Sequence, residues 1–529
     1  MGELVTIKEA SIWASDFTNR NVTESNISYL IQYGRINRYN ESGVTKVSIF
    51  DVEKYYNSHA GKKETEWKEK LGNDLNWALS FDTYKEAETT KHVHRLHPYK
   101  GKFIPQLVEY FLDDHMDAFK KQIYFNKGDI VLDPFCGSGT TLVQANELGI
   151  HAVGIDISEF NSMISNCKIE NYDISLLKKA LSEISNKFNE FENDVDVKEF
   201  ENELLSELYK FNSVYFPSPE YKKRVNDRSI NEKEYGAQKE KEFLPVFYEI
   251  ARKHNIETNS QTDDSFINKW YFSTAKKEIY FMNDLISRIS DEKIKLILRI
   301  ILSRTIRSCR ATTHSDLATL IEPMYRTYYC TKHKKICKPL FGIKKWWDKY
   351  SKDTVGRIEN YSKLRTDTFQ KCFTGDSRNI DIRKEIEDHI PSLLPIYEKH
   401  KIKGIFSSPP YVGVIDYHEQ HAYAYELFSL ERKDDLEIGP LYGGTGLEAQ
   451  KSYVDGISKV LLNCKKYFCD DYEVFLVAND KRNLYPEIAK KAGMEIVEVF
   501  KRPVLNRTEK DKGAYSECIF RMKEKNYVK

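Results

Sequence analysis

The sequence is short of the features that mark secreted, membrane and polycationic proteins. It has nine cysteines in 529 residues. An odd, scattered set of that size builds no disulfide framework and fits a reducing compartment. Long apolar runs are missing. The most apolar helical stretch, residues 294–306, is broken by Lys295, Arg299 and Arg304, and is too short and too charged to cross a bilayer. The first residues, MGELVTIKEA, lack a basic segment leading into an apolar one, so no secretory leader is expected. Charge of one sign is also absent, with 81 Lys+Arg against 80 Asp+Glu and a net charge of +1. That excludes a bulk polycation but not a local basic surface. No internal repeat is present. What remains is a cytoplasmic, multi-domain globular chain with no membrane partner, 40% hydrophobic and 30% charged.

Texture divides the chain. Residues 1–58 carry capping-box spacing at Thr6 and Glu9, with Ile7, Ala10 and Ala14 following at helical intervals. A second helix opens at residues 23–26, sets Ile27, Leu30 and Ile31 on one face, and ends at Gly34. A hairpin over residues 35–49, turning at 41–43, leads into a third helix that ends near Tyr56. This succession resembles the winged helix-turn-helix of the excisionase and MerR type, which implies DNA contact through the second helix. A docking domain has the same shape, and residues 1–60 hold six Lys+Arg against seven Asp+Glu, a poor balance for phosphate contact. Residues 59–90 read as a charged connector. Residues 91–170 and 372–529 alternate β and α, and the segment between them, 171–371, is too long for a loop and reads as a helical domain of its own.

Residues 129–141, DIVLDPFCGSGTT, run from a buried strand through a glycine turn into a helix. Two glycines let the backbone approach a ligand, and amide N–H groups point outward at the helix start. A second strand, residues 152–156, ends in Asp156, 23 residues after Asp133, where a carboxylate can accept from ribose hydroxyls. The full G-x-G-x-x-G is missing, because Thr140, Thr141 and Leu142 follow Gly139. DPFCGSGTT resembles the S-adenosylmethionine motif of DNA amino-methyltransferases, and the upstream HPYKGKFIPQL at residues 97–107 is similar to the segment beside the methionine end of that cofactor. The resemblance implies that Asp133, Pro134, Phe135, Gly137 and Gly139 line the cofactor pocket and that Asp156 holds the ribose. It places Lys102 and Phe103 near the methionine moiety, and Asp376, in a Gly375-Asp376-Ser377-Arg378 stretch like the family's third motif, at the adenine amine.

Residues 404–411, GIFSSPPY, form a short apolar strand running into a di-proline turn and an aromatic. An exocyclic base amine is a poor nucleophile because its lone pair is delocalised into the ring. Two acceptors aimed at its hydrogens, the Ser408 hydroxyl and the Pro409 carbonyl, direct that lone pair toward a methyl donor, with Pro410 stiffening the turn. Tyr411 offers a face for an extruded base. No cysteine nucleophile lies near this turn, so methyl transfer is direct and its rate comes from orientation. The tetrapeptide S-P-P-Y resembles the family's fourth motif, in which a leading serine goes mainly with cytosine N4, and aspartate or asparagine mainly with adenine N6. Downstream, His418 and Glu419 either contact the base or cap a helix. Strands are expected at 474–480, 495–504 and 517–522, with Lys501, Arg502, Arg507, Lys510 and Lys512 between the last two.

The cofactor motif precedes the catalytic motif by 275 residues, counted from Asp133 to Ser408, an order that in this family implies a target-recognition domain between them. The most basic part of that insertion, residues 326–349, has eight Lys+Arg and one acid. Arg326, Lys334, Lys335, Lys338, Lys344 and Lys345 alternate there with Tyr328, Tyr329, Phe341, Trp346 and Trp347. The mixture suits phosphate contact with base stacking, or equally a solvated basic face over core aromatics. Cys330, His333 and Cys337 fall within eight residues, and Cys309 or His314 completes a tetrahedral zinc set; the alternative is buried thiols.

The expected fold is α/β: a doubly wound, Rossmann-like methyltransferase sheet, a large and mostly helical insertion, and the amino-terminal winged-helix-like block. The expected activity is transfer of a methyl group from S-adenosylmethionine to cytosine N4 in double-stranded DNA, with adenine N6 as the closest alternative. An inactive methylase fold serving as a DNA-binding regulator is an alternative of another class. Such an enzyme serves restriction–modification or a related defence system, and with no nuclease motif in the chain a restriction endonuclease partner is a separate polypeptide.

Overall fold

The computed structural model describes residues 3–18, 22–32, 36–41, 43–57, 67, 69–72, 74–81, 84–117, 119–192, 197–258, 265–316, 320–339, 342–505 and 513–525. They form two compact units, one of residues 71–188, 279–307 and 344–529, the other of residues 1–70, 189–278 and 308–343.

The first unit is built on a seven-stranded sheet. Its strands are β1 (Ile130–Asp133), β2 (His151–Asp156), β3 (Gln370–Thr374), β4 (Ile402–Ser407), β5 (Phe468–Ala478), β6 (Met494–Pro503) and β7 (Ser516–Glu524). Their spatial order is β6-β7-β5-β4-β1-β2-β3. The five strands from β5 to β3 are parallel, and β7 enters antiparallel between β5 and β6. A parallel sheet is covered on both faces, so its strands read as continuous apolar runs rather than alternations. Every residue of β1 and β2 is buried. Gly404 marks a close approach in β4: a Cβ there would lie 1.8 Å from the Glu473 carbonyl oxygen of β5.

Helices Thr140–Glu147, Glu159–Ile169, Ile382–His389, Leu447–Lys465 and Tyr485–Lys491 clothe the sheet. Two begin at side-chain caps: Ser158 accepts from the Asn161 N–H at 3.2 Å, and Asp381 accepts from the Lys384 N–H at 3.2 Å. A continuous core joins Leu132, Val153, Ile405, Ile457, Val474 and Phe520, each fully buried apolar side chain contributing about 1.5–3 kcal/mol. The chain order reverses between β1 and β4, which makes their carboxyl ends the switch point of the sheet, where open α/β sheets bind ligands.

The compact units depart from the expected boundaries. Residues 171–371 do not form one body: 171–188, 279–307 and 344–371 belong with the sheet. Helix Glu292–Arg307 shows why, since Ile294, Ile297, Leu298, Ile300, Ile301 and Leu302 are all buried. Apolar on several faces, it packs against helices Glu159–Ile169 and Ala422–Phe428. Trp347, fully buried, donates its indole N–H to Ser185 at 3.0 Å. The connector expected at 59–90 is also partly structural. Leu75 and Leu79 are buried, and the Asn76 N–H donates to the Lys501 carbonyl of edge strand β6 at 2.7 Å, covering an edge that would otherwise stay open.

In the second unit, strands Leu4–Thr6, Val44–Ser48 and Tyr39–Glu41 make an antiparallel sheet with Val44–Ser48 in the middle. Helices Ile7–Thr18, Glu24–Gln32 and Ile49–Asn57 close over a core of Ala10, Ala14, Ile27, Leu30, Val47 and Val52. The capping box at Thr6 is formed: Glu9 N–H donates to Thr6 Oγ1 at 3.2 Å, and Thr6 N–H donates to the Glu9 carboxylate at 2.8 Å. Gly34 and Ser42, the expected helix stop and turn residue, lie outside the described residues. Helices Val197–Tyr215, Glu220–Asn226, Glu232–Lys253 and Phe266–Trp270 and a hairpin of strands Tyr328–Cys330 and Lys335–Cys337 also belong to this unit. No helix among the described residues is long and apolar enough to cross a membrane.

Candidate active site

The carboxyl ends of β1, β2 and β4 open on a cleft, the place at which open α/β sheets bind ligands. Residues 133–138, Asp156, Asn161, 375–377, Ser408 and Pro410 line it together with Tyr99, Lys102, Phe103, Tyr417 and Glu437. Two turns far apart in sequence therefore meet at one opening, the glycine turn after β1 and the di-proline turn after β4.

The glycine turn depends on its two glycines. Gly137 has φ +52° and Gly139 φ +73°, left-handed values that L side chains adopt only with strain. A Cβ at Gly137 would meet the Tyr99 hydroxyl at 2.8 Å, and one at Gly139 would meet Ser165 at 3.0 Å. Gly139 then caps helix Thr140–Glu147, whose first N–H groups need acceptors. The Gly137 N–H donates to Asp156 Oδ2 at 2.7 Å, while Ser158 N–H and Asn161 Nδ2 donate to its Oδ1 at 2.9 and 3.1 Å. The carboxylate at the end of β2 thus braces the turn after β1.

Asp133 joins the two strand ends. Ser407 Oγ donates to its Oδ1 at 2.5 Å and Phe135 N–H at 3.3 Å. Burial raises the Asp133 carboxyl to about 6, opposed by hydrogen bonds from Ser407, Thr141 and Phe135. Burial likewise raises Asp156 to about 6, opposed by Ser158, Asn161 and Gly137. Lys102 donates to the His94 carbonyl at 2.8 Å, and burial pushes its ammonium down to about 8. Phe103 meets Phe406 edge-on at 5.5 Å.

Asp376 reaches the cleft but is held by Arg378, whose backbone N–H and Nε donate to its Oδ1 at 2.9 and 2.8 Å. Ser408 and Pro410 face the cleft, whereas Pro409 is buried in the turn. Tyr411 packs against the sheet core and donates its hydroxyl to Glu517 at 3.0 Å. Burial, reinforced by the Glu517 charge, drives its pKa well above the usual phenol range.

Of the two residues expected beside the turn, His418 is fully buried, and its nitrogens are taken by Glu437 and the Lys433 N–H. Glu419 pairs with Arg432 at 3.0 Å. Neither lines the cleft. Tyr99, Asn161, Tyr417 and Glu437 do; Tyr417 falls in the 416–421 stretch that the sequence places beside the base pocket, while Tyr99, Asn161 and Glu437 were missed as site residues. Tyr99 sits inside the HPYKGKF stretch, so proximity to that motif is a usable signal. Glu437 comes from a loop with no motif of its own.

The basic stretch has a different character from the one expected. Arg326 pairs with Glu240 at 3.4 Å, Lys334 with Glu232 at 2.6 Å, Lys338 with Glu201 at 2.7 Å and Lys344 with Asp348 at 2.7 Å. Lys335 and Lys345 are exposed. Tyr328 and Trp347 are buried in their own units and present no face for stacking a base; Phe341 lies outside the described residues. Lys501 and Arg502 belong to β6 rather than to a loop: Lys501 pairs with Asp74 at 2.9 Å, and Arg502 donates to the Leu79 carbonyl at 3.1 Å. Arg507, Lys510 and Lys512 lie outside the described residues.

A DNA methylase family model matches residues 7–166. Type II methyltransferase M.MjaII of Methanocaldococcus jannaschii is 48% identical over 526 residues, 98% of this chain and 97% of that protein. Type II methyltransferase M.MvaI of Kocuria varians is 32% identical over 120 residues, 22% of this chain and 24% of that protein. No solved structure matches. The cleft at the sheet's switch point, the two turns that line it and this end-to-end similarity lead to one conclusion: the chain belongs to the DNA methylase family and is a methyltransferase akin to the type II enzymes.

Proposed function

We propose that the chain methylates the exocyclic N4 amine of cytosine within a specific sequence of double-stranded DNA, the target nucleotide being flipped into the cleft at Ser408 and Pro410. Membership of the family implies S-adenosylmethionine, which when bound supplies an electrophilic methyl group. The cleft has polar atoms suited to such a ligand: Ser138 Oγ and Asn161 Oδ1 are buried with no hydrogen-bond partner among the described residues, a state that a polar ligand relieves. Asp133, Pro134, Phe135 and Gly137 would form its floor, while Gly139, expected there as well, is not among the residues lining the cleft and caps the helix behind it. Asp156 and Asp376 would accept from its hydroxyl and amine groups, and Lys102 and Phe103 would flank its amino-acid end.

The observation that carries the reading is that Ser408 opens onto the same cleft as the glycine turn. Its hydroxyl, with the Pro409 carbonyl, would accept from the two amine hydrogens and hold the nitrogen lone pair in line for transfer. The turn follows the buried end of β4, whose fixed backbone holds these acceptors in place. Tyr411, braced by Glu517, would form the wall for the extruded base. Serine at the head of the S-P-P-Y turn favours cytosine over adenine. Phosphate contact would come from Lys335 and Lys345 rather than from the acid-paired Arg326, Lys334, Lys338 and Lys344, and partnership with a separate restriction endonuclease fits the type II relatives.

Digestion of DNA methylated by the purified enzyme, followed by mass spectrometry of the nucleosides, tests the base. N4-methylcytosine is expected, and N6-methyladenine alone would replace the cytosine reading by the adenine one.

A further inference from the structure

We propose that His314, Cys330, His333 and Cys337 bind one zinc ion that builds the hairpin of strands Tyr328–Cys330 and Lys335–Cys337 onto the segment carrying His314. One ligand atom from each of the four lies within 4.8 Å of the other three. A tetrahedral ion with Zn–S about 2.3 Å and Zn–N about 2.1 Å sets its donors roughly 3.4–3.8 Å apart. Cys330 Sγ and Cys337 Sγ already stand 3.5 and 3.6 Å from His333 Nδ1, so closing on a metal requires only small side-chain movements.

The hairpin explains the arrangement. Cys330 ends the first strand opposite Lys335, Cys337 ends the second opposite Tyr328, and His333 sits in the turn between them. The left-handed Lys334, φ +55°, tightens that turn. The fourth ligand comes from outside the hairpin. His314 lies with its ring 4.4 Å from that of His333, and its Nδ1 is hydrogen-bonded to the Tyr328 hydroxyl at 2.6 Å. A partner on one ring nitrogen fixes the tautomer and aim of the other, as is usual for a metal-ligating imidazole. Cys309, the rival fourth ligand by sequence, is engaged elsewhere: its thiol donates to the Gly342 carbonyl at 3.3 Å. Two thiolates balance the charge of a divalent ion, and the S₂N₂ set suits zinc.

The metal would add to an existing anchor. One face of the hairpin packs against helices Val197–Tyr215 and Glu232–Lys253, with Ile336 buried. On the other, the buried cluster among the described residues is Tyr328, Cys330 and Cys337, with Met324 packed against them, and a bound metal contributes folding energy directly there. Tyr328 acts as a positioning residue through His314.

The test uses the full-length chain, purified under reducing conditions with no metal-affinity step, and measures zinc by mass spectrometry of the elements. One zinc per chain is expected in the wild type and in Cys309→Ser and Ser408→Ala, and none in the Cys330→Ser/Cys337→Ser double variant. Replacement by Co(II) should give tetrahedral visible bands and a thiolate-to-cobalt charge-transfer band, a readout that needs no variant. Tyr328→Phe should weaken zinc affinity by roughly 10–100-fold while leaving a stoichiometric site. Folded wild-type chain with neither zinc nor tetrahedral cobalt bands overturns the proposal, as does zinc retained by the double variant or a Cys330–Cys337 disulfide under these conditions. Zinc lost from Cys309→Ser but kept by His314→Ala overturns the ligand assignment.

Discussion

Single side chains decide the chemistry of the cleft. Ser408→Ala removes one acceptor for the amine and leaves the floor of the cleft untouched. The expected outcome is a fall of about 10²–10³ in kcat, with the KM for S-adenosylmethionine little changed in steady-state assays; a rise in KM at unchanged kcat would move Ser408 into ligand binding. Asp133 makes a different prediction. Its folded carboxyl stands at about 6 because of burial, above the unfolded value of about 3.9. Between those values the folded chain holds a proton that the unfolded chain has released, so this residue's contribution to stability falls as pH rises from about 4 to 6 and stays lost above. Asp133→Asn is tolerable because the Ser407 and Thr141 hydroxyls can turn to accept as well as donate. Denaturant titrations should therefore show a shallower decline of stability from pH 4 to 6 for the variant than for the wild type; parallel curves would mean that Asp133 ionises normally.

Among the elements, β4 carries the tightest constraint. Its Gly404 faces the Glu473 carbonyl of β5 with room for no Cβ, and the same strand delivers Ser407 to Asp133 and Ser408 to the cleft. Gly404→Ala must push β5 aside or break the register from Glu473 to Leu476. The expected cost exceeds about 3 kcal/mol, the upper end of ordinary overpacking, and would be read as a lowered thermal midpoint or loss of soluble protein. How far each element could be read from sequence follows its local chemistry. The strand at 130–132, the glycine turn and the capping box at Thr6 show in sequence because each needs particular residue types at fixed spacing. The Gly404 clash does not, since its partner lies 69 residues away in the sequence. Glu437 reaches the cleft for the same kind of reason, brought there by the path of loops after β4. His418 looked available in sequence but is sealed by Glu437, a partner that only the folded loop supplies.

For the whole molecule, the near-zero net charge resolves into pairing rather than segregation. Four of the six cations singled out in residues 326–349 have an acidic partner, and Lys335 and Lys345 are exposed. Exposed cations dominate counterion release, so neutralising Lys335 and Lys345 should lower the slope of log affinity for DNA against log salt by roughly 0.9 for each phosphate that the chain no longer neutralises. Neutralising Lys334 and Lys338 should change it less; the reverse order in salt-titrated binding would return the DNA surface to the paired residues. The expected domain from 171 to 371 failed for a related reason. Helical texture marks those residues as structured but cannot say which core buries them, and helix Glu292–Arg307 joins the sheet because its apolar surface is too wide to be covered from one side. By itself the sequence determined the class of enzyme, since the DPFCGSGTT and S-P-P-Y turns are local solutions to local demands on the backbone. Only the tertiary structure decided that both turns line one cleft, that His314 rather than Cys309 stands by the cysteine pair, and which cations remain exposed. Each of those depends on distances between residues far apart in the chain, and no spacing along the chain encodes them.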